Sequence, residues 1–364
     1  MKNESHHLLL IEIVRFLAAF SVLVWHYQNF TNVTVEPVVL IVPNQPFYSV
    51  LWPFYERGLL GVQAFWAVSG FIFFWKYKSL LSSHVVNAKQ FFVLRFSRLY
   101  PLHLLTLLLV CLLQWVYFAI NHSHFVYEYY DLQHFILQLF FASNWLSSDF
   151  SFNGPIWSVS AEILVYVFFY HYVTQFNAGI KATVFIFSLC VLLSFLHMDV
   201  NATNCLKYFF LGGLSYEWHA LMKDSKNKKG FDLSLILVLA LFFMGLFLAY
   251  QFGMVRFKHY TFVLLVMIPV VLYFSPHNFS VSHGLASVIK GLGNLTYSSY
   301  LVHFPIQLII VSCYSYWHLS IPFYNPTFFL FYLNIVLIVS FLTYRLFELP
   351  CQRLIRRKWL LKSS

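Results

Sequence analysis

The sequence predicts an all-α polytopic membrane protein of about ten transmembrane helices, with both termini cytoplasmic and one short re-entrant or interfacial helix near 134–145. Three observations carry this. Of 364 residues, 60% are hydrophobic and only 10% charged, against about 25% charged in soluble domains. Apolar runs long enough for a bilayer core recur along the chain. The net charge of +10 gathers between alternate runs rather than spreading evenly, as cytoplasmic loops require.

The same composition excludes disorder and collagen-like repeats, because apolar residues dominate and glycine is only 13 residues. Five cysteines are too sparse for a disulfide scaffold, and no CxxC pair or metal-ligand spacing occurs, so neither zinc nor a redox centre is expected. Cys111, Cys190 and Cys313 fall inside apolar runs, where a thiol is a small hydrophobic filler.

The first apolar run starts near Leu8, behind a leader with Lys2, His6 and His7, and continues to about Phe30. It carries Glu12 and Arg15, which the core of a cleaved signal peptide would not, so it is expected to stay as the first span. Further spans are expected at about 58–76, 99–120, 156–175, 182–198, 204–222, 233–252, 260–275, 292–314 and 326–347, each near the roughly 20 residues a bilayer core needs. The run 134–145 is shorter. The longest hydrophilic stretches are 121–155 and 77–98, and neither an internal repeat nor a Pro/Ser-rich linker marks a second soluble unit. Residues 1–348 are therefore expected to form one transmembrane bundle and 349–364 a basic cytoplasmic tail.

Charge settles the parity. With a cytoplasmic N-terminus and a non-crossing 134–145, the inner segments collect Lys2; Lys76, Lys78, Lys89, Arg95 and Arg98; Lys181; Lys223, Lys226, Lys228 and Lys229; Lys290; and Arg353, Arg356, Arg357, Lys358 and Lys362. The outer segments hold only Arg57, Arg256 and Lys258, together with the acidic Glu36, Glu56, Glu128, Asp131, Asp149 and Asp199. This satisfies the positive-inside rule. A crossing 134–145 would place the Lys223–Lys229 cluster outside. The excess of positive charge therefore reports sidedness, and no nucleic-acid partner is expected.

Ionisable residues inside membrane helices are costly and face the bundle interior, a partner or a water-filled cavity. In the first span, Arg15 and His26 are eleven residues apart, roughly 20° beyond three full turns and roughly 16 Å along the axis. They share a stripe with Glu12, Ala19 and Val22. His26 alone reads equally as a packing histidine bonded to a carbonyl, and Glu12 at i−3 would make a purely structural pair with Arg15. The shared stripe is what favours function.

Three further constellations follow. FFVLRFSRLYP, residues 91–101, sets Arg95 and Arg98 three apart at a cytoplasmic mouth, on one helix face; they read either as a topology anchor or as a phosphate site, since guanidinium forks match phosphate oxygens. GPIWSVSAEILVY, residues 154–166, places Glu162 in a span with no Lys or Arg near in sequence, so its partner is expected from another helix. LGNLTYSSYLVHFP, residues 292–305, continued by Gln307, aligns Thr296, Ser299, Tyr300, His303 and Gln307 on one polar face, a pattern that helix packing alone also produces. Lys207, Glu217, His219 and Arg345 near span ends read as snorkelling residues.

These blocks, in this order, resemble acyltransferase family 3, the bacterial inner-membrane enzymes that include polysaccharide O-acetyltransferases. The resemblance covers nearly the whole chain: IEIVRFLAAFSVLVWHY, GVQAFWAVSGFIFFW, FFVLRFSRLYP, WSVSAE, LTYSSYLVHFP and FELPCQR each look like a family signature. Trp66 stands where a second phenylalanine is usual and Ala161 where a larger aliphatic is common; neither is a charged position. The resemblance implies a multi-pass protein of the bacterial inner membrane that moves an acyl group, usually acetyl, from cytoplasmic acetyl-CoA to a hydroxyl of a lipid-linked or cell-surface sugar or polysaccharide, without a metal and, in this chain, without the appended extracytoplasmic hydrolase-like domain of some relatives. On that basis His26 is expected as general base and Glu162 as its orienting or sugar-binding partner. Arg15, Arg95 and Arg98 are expected to hold the donor, and Glu12, Ser69, Trp157, Ser158, Tyr297 and His303 to line the cavity. An acyl-enzyme intermediate on His26 stays open. The competing class is a proton-coupled transporter built on the same buried charges, against which stands the lack of paired, broken short segments in the two halves.

Overall fold

A computed structural model describes residues 8–33, 38–145, 149–176, 178–223, 225–251, 260–276 and 281–360. Lys2, Glu36, Arg256, Lys258 and Lys362, used above for topology, lie outside the described residues. The fold is 80% helical and has no strand among the described residues. Its α-helices are α1 (Leu9–Tyr27), α2 (Tyr48–Arg57), α3 (Leu60–Ser82), α4 (Ala88–Asn121), α5 (Leu132–Leu139), α6 (Ile156–Gln175), α7 (Ile180–Phe195), α8 (Asn201–Lys223), α9 (Lys228–Gln251), α10 (Tyr260–Phe274), α11 (His283–Tyr316), α12 (Pro326–Thr343) and α13 (Leu349–Leu360).

Each of the ten predicted runs contains a helix. Among the described residues, five helical stretches are long and apolar enough to cross a membrane: Leu9–Asn32, Ala88–Asn121, Ile156–Gln175, His283–Tyr316 and Pro326–Leu360. A sixth is added if α2 and α3, bent by 67° at their junction, count as one span. α7 with 16 residues and α10 with 15 fall short of the roughly 20 that a bilayer core needs.

Two helices are longer than their apolar runs. α4 begins at Ala88 because Asn87 and Gln90 form a reciprocal capping box, the Gln90 amide donating to the Asn87 side chain at 2.9 Å and the Asn87 amide to the Gln90 side chain at 3.0 Å. α11 begins at His283, where Ser282 accepts from the Leu285 amide. At 34 residues each, both reach about 50 Å, well beyond a hydrocarbon core of about 30 Å. Arg95 and Arg98 therefore sit within the first three turns of a helix.

The predicted helix at 134–145 is displaced: α5 starts at Leu132 and ends at Leu139. Asp131 caps it, accepting from the His134 amide at 2.9 Å. Phe141, in the left-handed region at φ 55, turns the chain so that the Ala142 amide donates to the Leu137 carbonyl at 2.7 Å, the closing bond of a Schellman stop. Eight residues span about 12 Å, too short to cross.

Small residues bring the site-bearing helices together. A Cβ on Gly70 of α3 would run into the Phe209 carbonyl, and one on Gly212 of α8 into that of Ala67, so α3 and α8 touch backbone to backbone as membrane helices do through small residues. Gly61 meets the Ala18 carbonyl of α1 in the same way. Around this contact Phe73, Tyr166, Phe169 and Phe209 form an aromatic core, with Phe73 and Tyr166 stacked at 4.3 Å. A single π-helical turn, Tyr344–Glu348, joins α12 to α13 without a break, so the described part of the expected tail, Leu349–Leu360, is helical, and α13 packs on α4.

Two of the expected snorkelling residues do otherwise. Lys207 is only 6% exposed and donates to the Ser194 hydroxyl at 2.7 Å, and Glu217 is ion-paired with Lys78. Both find partners between helices because α8 packs closely on α3 and α7.

Candidate active site

α1, α3, α4, α6 and α11 enclose a cleft of about 800 Å³, counted with its open mouth. Arg15, Ser69, Arg95, Arg98, Ser158, Glu162 and Tyr297, all singled out from the sequence, line it. Residues separated by up to almost three hundred positions thus share one wall.

The guanidiniums differ in how they are held. Arg15 donates to Glu12 Oε2 at 2.7 Å and to Thr296 Oγ1 at 2.9 Å, so it is tied both to its own helix and to α11. Arg95 donates to the Tyr77 hydroxyl and lies over the rings of Phe73 and Tyr77, at 5.0 and 4.8 Å, a cation–π cradle. Its Nε is buried without a partner. Arg98 lines the cleft and makes no hydrogen bond or ion pair to any other described residue.

Glu162 corrects the expectation that its partner comes only from another helix. Its Oε1 accepts at 2.6 Å from the hydroxyl of Tyr166, one turn on along α6. The Ser69 hydroxyl of α3 lies 3.2 Å from that of Tyr166, and Arg98 and Arg95 act on Glu162 through the cleft. Among the described residues it has no hydrogen bond to His26. Tyr166 is not among the sequence-derived candidates, since a hydroxyl carries no charge to mark it as a carboxylate's partner; its i+4 spacing from Glu162 is the available signal.

Further along α11, the cleft closes on a hydrogen-bonded corner. The Tyr300 hydroxyl donates to the Pro155 carbonyl at 2.9 Å and lies 2.7 Å from Ser158 Oγ, while Trp66 donates to the Ser158 carbonyl at 3.2 Å. Trp157 packs edge-on against Trp66 at 5.6 Å behind this corner, and Tyr297 anchors α11 to α4 by donating to the Leu99 carbonyl at 2.6 Å.

His26 and His303 do not line the cleft. They lie together just beyond Tyr300: its ring is 6.1 Å from that of His303, and the His303 ring is 4.9 Å from that of His26. His26 Nδ1 is 3.0 Å from the Val22 carbonyl and His303 Nδ1 is 3.3 Å from that of Ser299. A carbonyl oxygen only accepts, so each neutral ring carries its proton on Nδ1 and keeps an Nε2 lone pair. His303 Nε2 is buried without a partner. Gln307 holds the pair in place, donating to the His26 carbonyl at 2.6 Å and accepting from Asn29 at 3.1 Å.

Glu348, absent from the sequence-derived candidates, is only 5% exposed and accepts from Ser298 at 2.6 Å. Its charge acts on Arg98 and Arg15. The FELPCQR block contains it, but nothing local marks it as buried.

A family model described as an acyltransferase domain matches residues 9–345. Together with the apolar helices, this defines a multi-pass membrane acyltransferase. The chain belongs to acyltransferase family 3. No curated protein and no solved structure gives a match. Among the described residues, no group of three or more His, Cys, Asp or Glu could hold a metal ion.

Proposed function

We propose that this protein is an O-acetyltransferase of the bacterial inner membrane, with ten crossings and cytoplasmic termini, which transfers acetyl from cytoplasmic acetyl-CoA to a hydroxyl of a lipid-linked or cell-surface sugar. The observation that carries the reading is a guanidinium-lined cleft whose closed inner corner, at Tyr300, adjoins a histidine pair with free Nε2 lone pairs. The donor's phosphates bind at Arg95 and Arg98, whose forks suit phosphate oxygens. Its pantetheine arm runs along the cleft past Arg15 and Ser69, bringing the thioester to the corner of Ser158 and Tyr300. The acceptor arrives from the opposite, outer side.

His26 Nε2 takes the proton from the acceptor hydroxyl as its oxygen bonds to the thioester carbon. The C–S bond then breaks, and the departing CoA thiolate regains that proton from the imidazolium. The charge that develops on the carbonyl oxygen is met by the hydroxyls at the corner. The Nδ1–H bond to Val22 fixes the tautomer that makes Nε2 the base. Glu162, bonded to Tyr166, whose hydroxyl also meets Ser69, sits in the cleft wall and sets its shape and charge rather than orienting His26.

The test is release of CoA thiol from acetyl-CoA by the protein in membranes supplied with glycan acceptor. The reading expects acceptor-dependent thiol release in the wild type and none in His26→Ala. Acceptor-independent movement of a small molecule without thiol release favours a transporter. Full activity of His26→Ala ends the general-base assignment.

A further inference from the structure

Beside the arginines that line the cleft stands a further guanidinium, outside the lining itself. α13 carries four basic side chains at 353, 356, 357 and 358; Arg353, Arg357 and Lys358 are exposed, whereas Arg356 is half-buried. The packing of α13 on α4 turns Arg356 inward, and its Nε donates to Ser97 Oγ at 3.1 Å. Ser97 lies between Arg95 and Arg98 in sequence. Both arginines act electrostatically on Arg356, as does the Tyr77 hydroxyl that holds Arg95.

Three guanidiniums are thus gathered within reach of one another. Among the described residues, none of the three has a carboxylate within ion-pairing distance. The carboxylates whose fields reach Arg98, those of Glu162 and Glu348, are hydrogen-bonded to Tyr166 and Ser298 instead. Arg95 Nε is buried without a partner, and Arg98 makes no hydrogen bond or ion pair to a described residue. Like charges held together repel; an arrangement with spare donors and no counter-charge is complementary to a polyanion.

We infer that Arg356 is the third phosphate ligand of this cleft, joining Arg95 and Arg98 in a site for the clustered phosphates of a CoA-type donor, so that α13 is part of donor recognition. The assignment rests on the acyl-CoA reading above. The shared chemistry is a phosphate ester, and an anionic phospholipid headgroup is the other source of it at this depth. Two of the three arginines line the cleft and the third is bonded to the serine between them, which favours the donor.

The test is calorimetric titration of the full-length protein, purified in detergent without phospholipid, with CoA and with pantetheine, which shares the thiol arm but has no phosphate. The wild type is expected to prefer CoA. Arg356→Ala should lose roughly ten- to a hundredfold in CoA affinity with pantetheine binding unchanged. Ser97→Ala, which frees the guanidinium without removing it, should shift the same preference less. Arg357→Ala, on the exposed face, should leave it unchanged. If Arg356→Ala does not fold, Arg356→Lys, which keeps the charge but loses the fork, and Ser97→Ala carry the test. A wild-type CoA-to-pantetheine ratio in these variants overturns the assignment. So does a loss confined to nanodiscs containing phosphatidylglycerol, which gives the cluster to the lipid headgroup. A wild type that binds neither compound overturns the acyl-CoA reading itself, a result distinct from a wild type that prefers CoA and an Arg356→Ala protein that still does.

Discussion

His26 of α1 and His303 of α11 lie with their rings 4.9 Å apart, each donating through Nδ1 to the carbonyl four residues back on its own helix. Neither imidazole spends its Nε2 on the other's backbone. If His26 is the base, His26→Ala should lower acceptor-dependent thiol release roughly 100- to 10,000-fold while leaving CoA binding intact, because the arginines proposed to hold the phosphates lie on α4 and α13. His303→Gln keeps a polar side chain beside His26 and should cost less than His26→Ala. Equal activity of His26→Ala and wild type refutes the role.

Gln307 offers a test of positioning. Its amide donates to the His26 carbonyl and accepts from Asn29, linking α11 to the end of α1. Gln307→Leu has about the same volume but cannot bridge. We expect kcat to fall about tenfold, equivalent to about 1.4 kcal/mol, with KM for acetyl-CoA unchanged. A change in KM alone places the effect at the donor cleft instead.

Tyr166 supports the carboxylate of Glu162 from one turn away. Tyr166→Phe removes a single hydroxyl and keeps the stack on Phe73. Losing a hydrogen bond to a charged group should cost about 1.5–3 kcal/mol, seen as a lower melting temperature or a lower kcat/KM. Unchanged values for both, with Glu162→Gln equally silent, show that the carboxylate has no part in the site.

What the sequence made legible follows the range of the interactions involved. Bilayer-length apolar runs are local, and each holds a helix. The common face of Arg15 and His26 needs only 3.6-residue geometry. Yet Arg15 reaches the cleft and His26 does not, because Tyr300, Ser158 and Pro155 close the corner between them, and that closure joins helices more than a hundred residues apart. The N-terminal extensions of α4 and α11 look like loop because their residues are polar, although the Asn87/Gln90 and Ser282 caps are the signals to extend them. Arg356 looked like one more topology anchor, since its bond to Ser97 spans 259 positions. Glu348 was hidden in the same way by its bond to Ser298.

The final prediction concerns Gly293 and Glu12. A Cβ at Gly293 would run into the Glu12 carboxylate, which is the acceptor for Arg15. α11 thus leaves just enough room for the Glu12–Arg15 pair, with Thr296, one turn along, as the guanidinium's other partner. Gly293→Ala should force the carboxylate aside and let Arg15 shift within the cleft, at an overpacking cost of about 1–3 kcal/mol, visible as a lower melting temperature and a raised KM for acetyl-CoA. If the whole effect passes through Glu12, then Gly293→Ala added to Glu12→Gly should do little further harm, since both the carboxylate and the Cβ it strikes are gone. Contacting residues are expected to couple in this way. Strict additivity in the double-mutant cycle would instead show that Gly293 acts on the packing of α11 against α1, with the Glu12–Arg15 pair a bystander.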